Sequence, residues 1–362
     1  SDPDGVNWIK IGDVVPGDKY ITSTKEKIIA SGVSKSRLVK PGDFILSNSM
    51  SFGRPYILRI EGCIHDGWLA ISDYYDNFTP DFLFHLLGSN IIQRTMAQRA
   101  SNGTVSNLNA DIVKSIKLPL PPLPVQHEIV RILDNFTELT AELTAELTAR
   151  KKQYEYYRDE LLSLPDVQRL TLGEIAKDMY RGAGITRAEV TDDGVPCVRY
   201  GEIYTTYGIW FKTCVSHTKS GTKTFEHGDI LFAITGESVE EIAKSCAYLG
   251  PDKCFVGGDI VVMKHKQNPK YISYALSTLD AQAQKSKGKV KSKVVHSSVP
   301  SLKEITIPLP PLEEQARIVA ILDRFDALCN DLTSGLPAEI EARRKQYEYY
   351  RDKLLTFKAK AI

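Results

Sequence analysis

PLPPLPVQHEIVRILDNF (Pro119–Phe136) returns 189 residues later as PLPPLEEQARIVAILDRF (Pro308–Phe325). Further along, ARKKQYEYYRDELLSL (Ala149–Leu164) returns as ARRKQYEYYRDKLLTF (Ala342–Phe357), now 193 residues later, with QYEYYRD identical in both copies. Self-similarity at a long fixed offset marks an internal duplication. The same offset aligns regions that look unrelated: DGVNWIKIGD (Asp4–Asp13) falls on DGVPCVRYGE (Asp193–Glu202). RLVKPGDFILSNS (Arg37–Ser49) resembles TFEHGDILFAITG (Thr224–Gly236), a turn feeding a buried strand. Thr79-Pro80 falls on Asn268-Pro269, each an N-cap followed by proline at the first helical position. Helices are therefore expected over Pro80–Arg99 and Pro269–Gln284. Two variable domains share one fold and present different surfaces. Pro165–Glu189 have no counterpart in the first copy, so that domain is expected to be N-terminally incomplete by about one strand and turn.

The repeated segments read as helices. Prolines bar helix until after Leu123 or Leu312. From there Ile129, Ile132, Phe136, Leu139, Leu143, Leu147, Tyr154, Tyr157, Leu161 and Leu164 recur at spacings of three, four or seven. That is one apolar seam on a helix of roughly 40 residues, about 60 Å at 1.5 Å per residue. Ile318, Ile321, Phe325, Leu328, Leu332, Ile340, Tyr347, Tyr350, Leu354 and Phe357 repeat it, interrupted at Ser334-Gly-Leu-Pro337, where Ser334 is expected to cap a restarted helix. Two exposed seams are satisfied by antiparallel packing, which gives an approximate internal two-fold. The expected fold class is α/β (α+β): a domain over 1–118, helical segment 119–164, a second domain over 165–307 and helical segment 308–362.

Composition narrows the function classes. The chain has 362 residues, 42% hydrophobic and 25% charged, with net charge +1, so no global basic field draws nucleic acid. Its six cysteines form no CxxC pair, which points to reduced thiols and a cytoplasmic location. Cys214-Val-Ser-His217 with His227 completes no zinc ligand set. GxxxxGK[ST] is absent, and so is the Asn/Asp-Pro-Pro-Tyr/Phe tetrapeptide that an adenine N6-methyltransferase uses around its flipped base. Arg181-Gly-Ala-Gly184 is a glycine turn without the rest of a dinucleotide fingerprint, and His65-Asp66 lacks a nucleophile. No motif carries chemistry.

Two different readers on a two-fold frame suit duplex DNA with a split, non-palindromic target. Two variable domains, PLPPLxxQxxIVxILDxF and QYEYYRD together resemble the specificity subunit of type I restriction–modification systems, over essentially the whole chain. TELTAELTAELTAR (Thr137–Arg150) resembles the subgroup in which the number of TAEL units varies. The resemblance implies a non-catalytic subunit whose target recognition domains each read half of a bipartite site. It implies two methyltransferase and two motor/nuclease partner subunits. S-adenosylmethionine, ATP and Mg are then expected on those partners, with no cofactor on this chain. The competing reading is a scaffold of two ligand-binding domains spaced by a coiled coil.

Candidate DNA contacts follow from residue chemistry. Lys285, Lys287, Lys289, Lys291 and Lys293 alternate, which in an extended segment places five ammonium groups on one side to follow phosphates. Arg99, Asn102 and Thr104 occupy the equivalent region of the first domain, where Arg suits guanine and Asn suits adenine. Ser47, Asn48 and Arg54 follow a predicted strand; Thr235 and Glu237 are their counterparts, the carboxylate suited to cytosine N4. Partner docking is expected of Tyr156, Arg158 and Asp159, with Tyr349, Arg351 and Asp352, because burial in the seam does not explain their identity in both copies. The expected surface extends to Gln126, Arg131, Gln315 and Arg317. The alternative is an intramolecular Arg–Asp and Tyr lattice between the two helices. The TAEL units fall where the repeats differ in length: 14 residues from Phe136 to Arg150 against 18 from Phe325 to Arg343. One unit adds roughly 6 Å and a net rotation of about 40° to a helix. A base pair adds about 3.4 Å and 35°. The units are therefore expected to set the unread gap between half-sites.

Overall fold

The computed structural model describes residues 4–14, 17–48, 53–100, 108–289, 294–331 and 333–357. The chain forms two compact units, Ser1–Ala145 with Ala338–Ile362, and Glu146–Pro337. The cut falls within both repeated helical segments. Each unit combines one variable domain, the start of its own conserved helix and the end of the helix belonging to the other repeat.

In the first unit the strands are β1 (Val6–Ile9), β2 (Tyr20–Ile21), β3 (Glu26–Ile28), β4 (Arg37–Val39), β5 (Phe44–Ser47), β6 (Pro55–Leu58), β7 (Gly62–Ile64) and β8 (Trp68–Ile71). Its helices are α1 (Ala30–Val33), α2 (Pro80–Leu87), α3 (Asn90–Ala100), α4 (Ala110–Lys114) and the opening of α5 (Leu123–Ser163). Two sheets run in the orders β3-β1-β7-β4 and β2-β6-β5-β8. β5 explains why an apolar run such as Phe-Ile-Leu suits this place. Its side chains alternate, with Ile45 facing Ile9, Tyr56 and Trp68 while Phe44 and Leu46 face α2 and α5, so both faces are covered.

The second unit contains β9 (Arg169–Thr171), α6 (Leu172–Ile175), β10 (Asp178–Arg181), β11 (Val190–Thr191), β12 (Val195–Val198), α7 (Tyr200–Thr205), β13 (Trp210–Phe211), β14 (Ser216–Thr218), β15 (Thr224–Phe225) and β16 (Ile230–Ala233). There follow β17 (Thr235–Gly236), β18 (Ser245–Tyr248), β19 (Cys254–Val256), β20 (Ile260–Lys264), α8 (Pro269–Ala275), α9 (Leu279–Ser286), β21 (Val295–His296), α10 (Val299–Lys303), β22 (Thr306–Pro308) and α11 (Leu312–Asn330). Its main sheets, β10-β20-β16-β18-β13 and β11-β14-β12-β19-β15, repeat the first unit's pair with one strand added to each. β16 also alternates, Ile230 and Phe232 to one core and Leu231 and Ala233 to the other. β10 pairs antiparallel with β20, whereas its first-unit equivalent would lie beside β8, which ends its sheet among the described residues. α12 (Leu336–Leu354) returns the chain to the first unit.

Two expectations about helices are corrected. The single helices over 80–99 and 269–284 are each two. Ser89 Oγ and Thr278 Oγ1 sit inside the apolar runs, where they accept from the amides of Ile92 (3.5 Å) and Ala281 (3.3 Å) and so start a second helix. The restart near Ser334 is organised by Asp331 instead, whose carboxylate takes the amide of Thr333 at 2.7 Å and the hydroxyls of Thr333 and Ser334 at 2.6 Å each. Those bonds, led by the one from the Ser334 hydroxyl, hold the Asp331 carboxyl down at about 2.

The remaining core follows the seam. Ile129 and Leu133 of α5 join Leu355, while Tyr154 and Leu162 from the far end of α5 join Ile318, Leu322 and Cys329 of α11. Phe136 stacks on Tyr350 with centroids 5.4 Å apart, and Tyr157 on Phe325 at 6.1 Å. In the TAEL stretch Leu139, Leu143 and Leu147 are half-buried, and Thr140 and Thr144 return their hydroxyls to carbonyls one turn back, each at 2.8 Å.

Candidate nucleic-acid interface

In the first unit three loops converge on Asn48. Its amide donates to Gly67 O (3.0 Å), its carbonyl accepts from Leu108 N (3.1 Å), and its side-chain nitrogen donates to Asp66 O (2.6 Å). The end of β5, the β7–β8 turn and the approach to α4 are thereby tied at one edge of the domain. Gly53, held at φ +68°, closes the β5–β6 connection by donating to Ser47 O at 2.8 Å. Ser47 is fully buried, so it supports this edge and is withdrawn as a DNA contact. Arg54 lies exposed beside it. Arg99 is also exposed, and its guanidinium donates to the Ser115 carbonyl at 2.8 Å, fastening α3 to the end of α4. Asn102 and Thr104 lie outside the described residues.

The second unit rebuilds this frame with other side chains. Ile234 takes the place of Asn48: its amide donates to Asp259 O (3.0 Å) and its carbonyl accepts from Ser297 N (2.8 Å). Beyond it, β17 pairs with β21, and Thr235 Oγ1 lies 3.2 Å from His296 Nδ1. Glu237 is exposed at the mouth of a cleft of about 520 Å³, lined also by Tyr200, Tyr204, Thr205 and Val294. At Tyr200, Gly201 and Thr205 this cleft meets another of about 790 Å³, bordered by Arg181, Arg187 and Arg199. Arg181 is held by Gly258 O and by Asp259 (2.7 Å), and Arg199 by Glu202 (3.2 Å). These arginines are scattered in sequence, so no charge run announced them.

The alternating lysines do not form one ladder. Lys285 lies in the last turn of α9, is 4% exposed, and donates to Leu276 O at 2.8 Å. Burial pushes its ammonium pKa down to about 7. A helical turn overrides the period-two reading at this residue, so Lys285 is withdrawn as a phosphate contact. Lys287 is exposed and Lys289 half-buried in the following turn, and Lys291 and Lys293 lie outside the described residues.

The expected docking surface is likewise divided. Gln126 and Gln315 are fully buried. Gln126 accepts from Thr79 N (2.9 Å) and donates to Asn77 O (2.8 Å) and Pro121 O (2.9 Å). Gln315 likewise accepts from Asn268 N (3.0 Å) and donates to Pro310 O (2.8 Å). Each amide brackets the start of α2 or α8 to a conserved helix, a use of the side chain that leaves nothing for a partner. Asp159 accepts from Leu279 N (3.2 Å), and Asp352 from Asn90 N (3.2 Å) and Nδ2 (2.6 Å). A carboxylate thus meets the start of the second helix in each domain, where the dipole favours it. Arg158 and Arg351 bind those same aspartates. Arg158, Asp159, Arg351 and Asp352 are therefore engaged within the chain, by neighbouring Arg–Asp pairs and by bonds to the second helix of each domain, in place of the expected lattice between the two helices. Tyr156 and Tyr349 remain 63% and 60% exposed, and Arg131 and Arg317 stay outside, paired with Glu128 and Glu314 at 2.6 Å.

All six cysteines are buried and unpaired. Among the described residues no group of three or more His, Cys, Asp or Glu is placed to hold a metal, and no helix is long and apolar enough to cross a membrane.

The chain is similar to known proteins over most of its length. The family model described as "Type I restriction modification DNA specificity domain" matches residues 2–150 and 166–342. The type I restriction enzyme EcoR124I/EcoR124II specificity subunit of Escherichia coli is 37% identical over 263 residues, which is 67% of this chain and 63% of that protein's length. The EcoprrI specificity subunit, also of Escherichia coli, is 28% identical over 346 residues, covering 91% of this chain and 82% of that one. A chain from a structural study of the assembly and conformational transition of the type I R-M system superposes with a TM-score of 0.72 at 18% identity, covering 97% of this chain and 91% of that one. The HsdS subunit from Thermoanaerobacter tengcongensis gives 0.52 at 19%, covering 97% and 90%. At such identities the two structures attest the fold.

Proposed function

This chain belongs to the family of type I restriction modification DNA specificity domains, and on that premise we propose that it is the non-catalytic, sequence-specific DNA-binding subunit of a type I restriction–modification complex. Each unit reads one half of a bipartite, asymmetric target. The observation that carries this reading is the repeated frame at Asn48 and Ile234, where the same backbone hydrogen bonds hold loops of different chemistry. One scaffold presenting two unlike surfaces suits a split target whose halves differ. The proposed DNA contacts are Asn48, Arg54, Arg99, Thr235, Glu237, Lys287 and Lys289, together with Asn102, Thr104, Lys291 and Lys293, which lie outside the described residues.

Two copies of one methyltransferase subunit need a duplicated docking surface, and the exposed pairs Tyr156/Tyr349 and Arg131/Arg317 provide it. Motor/nuclease subunits join the same complex, and S-adenosylmethionine, ATP and Mg reside on those partners. Affinity for duplex DNA, measured with the methyltransferase subunits present, should fall steeply with salt. Binding that ignores salt, or none to any duplex, overturns the reading. Mapping methylated adenines in cells carrying the system should then return a two-part sequence. The TAEL units act as a ruler within α5: one more unit should lengthen the unread gap by about one base pair. A changed half-site would refute the ruler.

A further inference from the structure

We propose that the arginine-bordered cleft of the second unit seats the sugar-phosphate backbone of one DNA strand, with Arg187 as its free phosphate clamp and Arg181 and Arg199 as pre-set flanking donors. The inference rests on the DNA-binding reading above and says where one strand runs.

Arg181, Arg187 and Arg199 line one cleft, with Glu202 and Asp259 beside them, because β10 pairs with β20 and β12 with β19. Arg181 donates through Nε and Nη2, and Arg199 through Nε, to their protein partners. A guanidinium carries five N–H donors in a fixed fork, so both keep donors while their planes stay oriented. Arg187 is exposed and has no ion pair among the described residues. It is therefore the group whose charge an incoming phosphate would neutralise most directly.

The glycines of the walls fit this role. A Cβ on Gly182 would lie 2.1 Å from Gly257 O, and one on Gly258 would lie 3.1 Å from Gly184 N. The loop after β10 and the turn before β20 are thus packed backbone to backbone, with Gly182, Gly184, Gly257 and Gly258 all in the lining of the cleft. The cleft continues past Tyr200, which is 41% exposed, into the one holding Thr235 and Glu237. A strand laid with phosphates at the arginine end brings its base edges toward that hydroxyl and carboxylate, and an exposed phenol at the junction suits contact with sugar or base.

The test uses the full chain assembled with its methyltransferase subunits and short duplexes with and without the methylated target sequence. Arg187→Ala should weaken binding to both duplexes alike and reduce the slope of log affinity against log salt by about 0.9, the signature of one lost phosphate contact. Arg187→Lys should restore most of that slope, and the methylated sequence should stay the same for both variants. An unchanged slope in Arg187→Ala, or an altered target sequence, overturns the assignment while leaving the DNA-binding reading intact. Failure of the unsubstituted complex to bind any duplex overturns the broader reading instead. Because Arg187 is exposed, its replacement leaves the core untouched.

Discussion

Between α2, α5 and α12 the first unit buries an imidazole; between α8, α11 and the end of α5 the second unit builds the same place from phenols. His85, 3% exposed, sets Nε2 2.9 Å from Asp134 Oδ1 and Nδ1 3.0 Å from Tyr347 Oη. Lys19 joins it, 2.6 Å from Asp81 and 3.9 Å from Asp134. In the second unit Tyr274 donates to Asp323 at 2.9 Å, Lys270 pairs with Asp323 at 2.6 Å, and Tyr154 Oη is buried with no partner among the described residues. Burial drives the Tyr154 and Tyr274 phenols well above their usual range. The comparison teaches that duplication preserved the joints, Gln126/Gln315 and Asp352/Asp159, while the polar centre between them was free to change. What it had to keep was a partner for each carboxylate, since an unpaired charge at such a place is costly.

The exchange of helix ends between repeats gives the largest expected effect. Leu355 and Leu162 are equivalent, 4% and 3% exposed, and each packs into the core of the other repeat's domain. Leu355→Ala should cost about 2–5 kcal/mol and lower amide-exchange protection in α2 and α3, while Leu162→Ala should do so in α8 and α9. Loss of protection in the domain of the same repeat would break the interleaved reading. Next come the brackets: Gln126→Ala and Gln315→Ala should each cost about 2–3 kcal/mol by leaving buried backbone groups unpaired. Denaturant unfolding would read this, and a near-neutral result would show that water replaces the amide.

The smallest effect sharpens the difference at the centre. His85→Phe should cost about 1–2 kcal/mol and also change the acid limb of stability. The bond from His85 leads the effects that hold the Asp134 carboxyl below its ordinary 3.8. A carboxyl with a depressed folded pKa contributes stability above its unfolded value and loses it as pH falls through the folded one. His85→Phe should therefore flatten the first unit's loss of stability below pH 3.8. Exchange protection of α2 followed against pH would show it; an unchanged acid limb would mean that Lys19, not His85, holds the carboxylate.

Much of this was legible in the chain. Phe-Ile-Leu at 44–46 and Ile-Leu-Phe at 230–232 read as buried strands, and they are, while the structure adds that both faces of each are covered. The seam from Ile129 onward gave α5 its extent. QYEYYRD was recognisable as a shared requirement, but identity alone does not say whether a surface or an internal joint demands it. Asp159 and Asp352 answer to amides more than a hundred residues away, at Leu279 and Asn90, which no local pattern announces. Gln126 looked like a surface residue because two of its three backbone partners, Asn77 and Thr79, come from a turn that only folding brings near, the third being Pro121 close by in the chain.

By itself the sequence determined the duplication, the two unlike variable domains on one fold and the length of α5. These are matters of periodicity and self-similarity, which survive without coordinates. The tertiary structure decided which repeat's helix completes which domain, which conserved polar groups turn inward, and where positive charge gathers. Lys285, in a conspicuous run, is buried, while Arg181, Arg187 and Arg199, with no run to mark them, share one cleft. Charge near a ligand depends on distance in space, and strand pairing sets that distance independently of spacing along the chain.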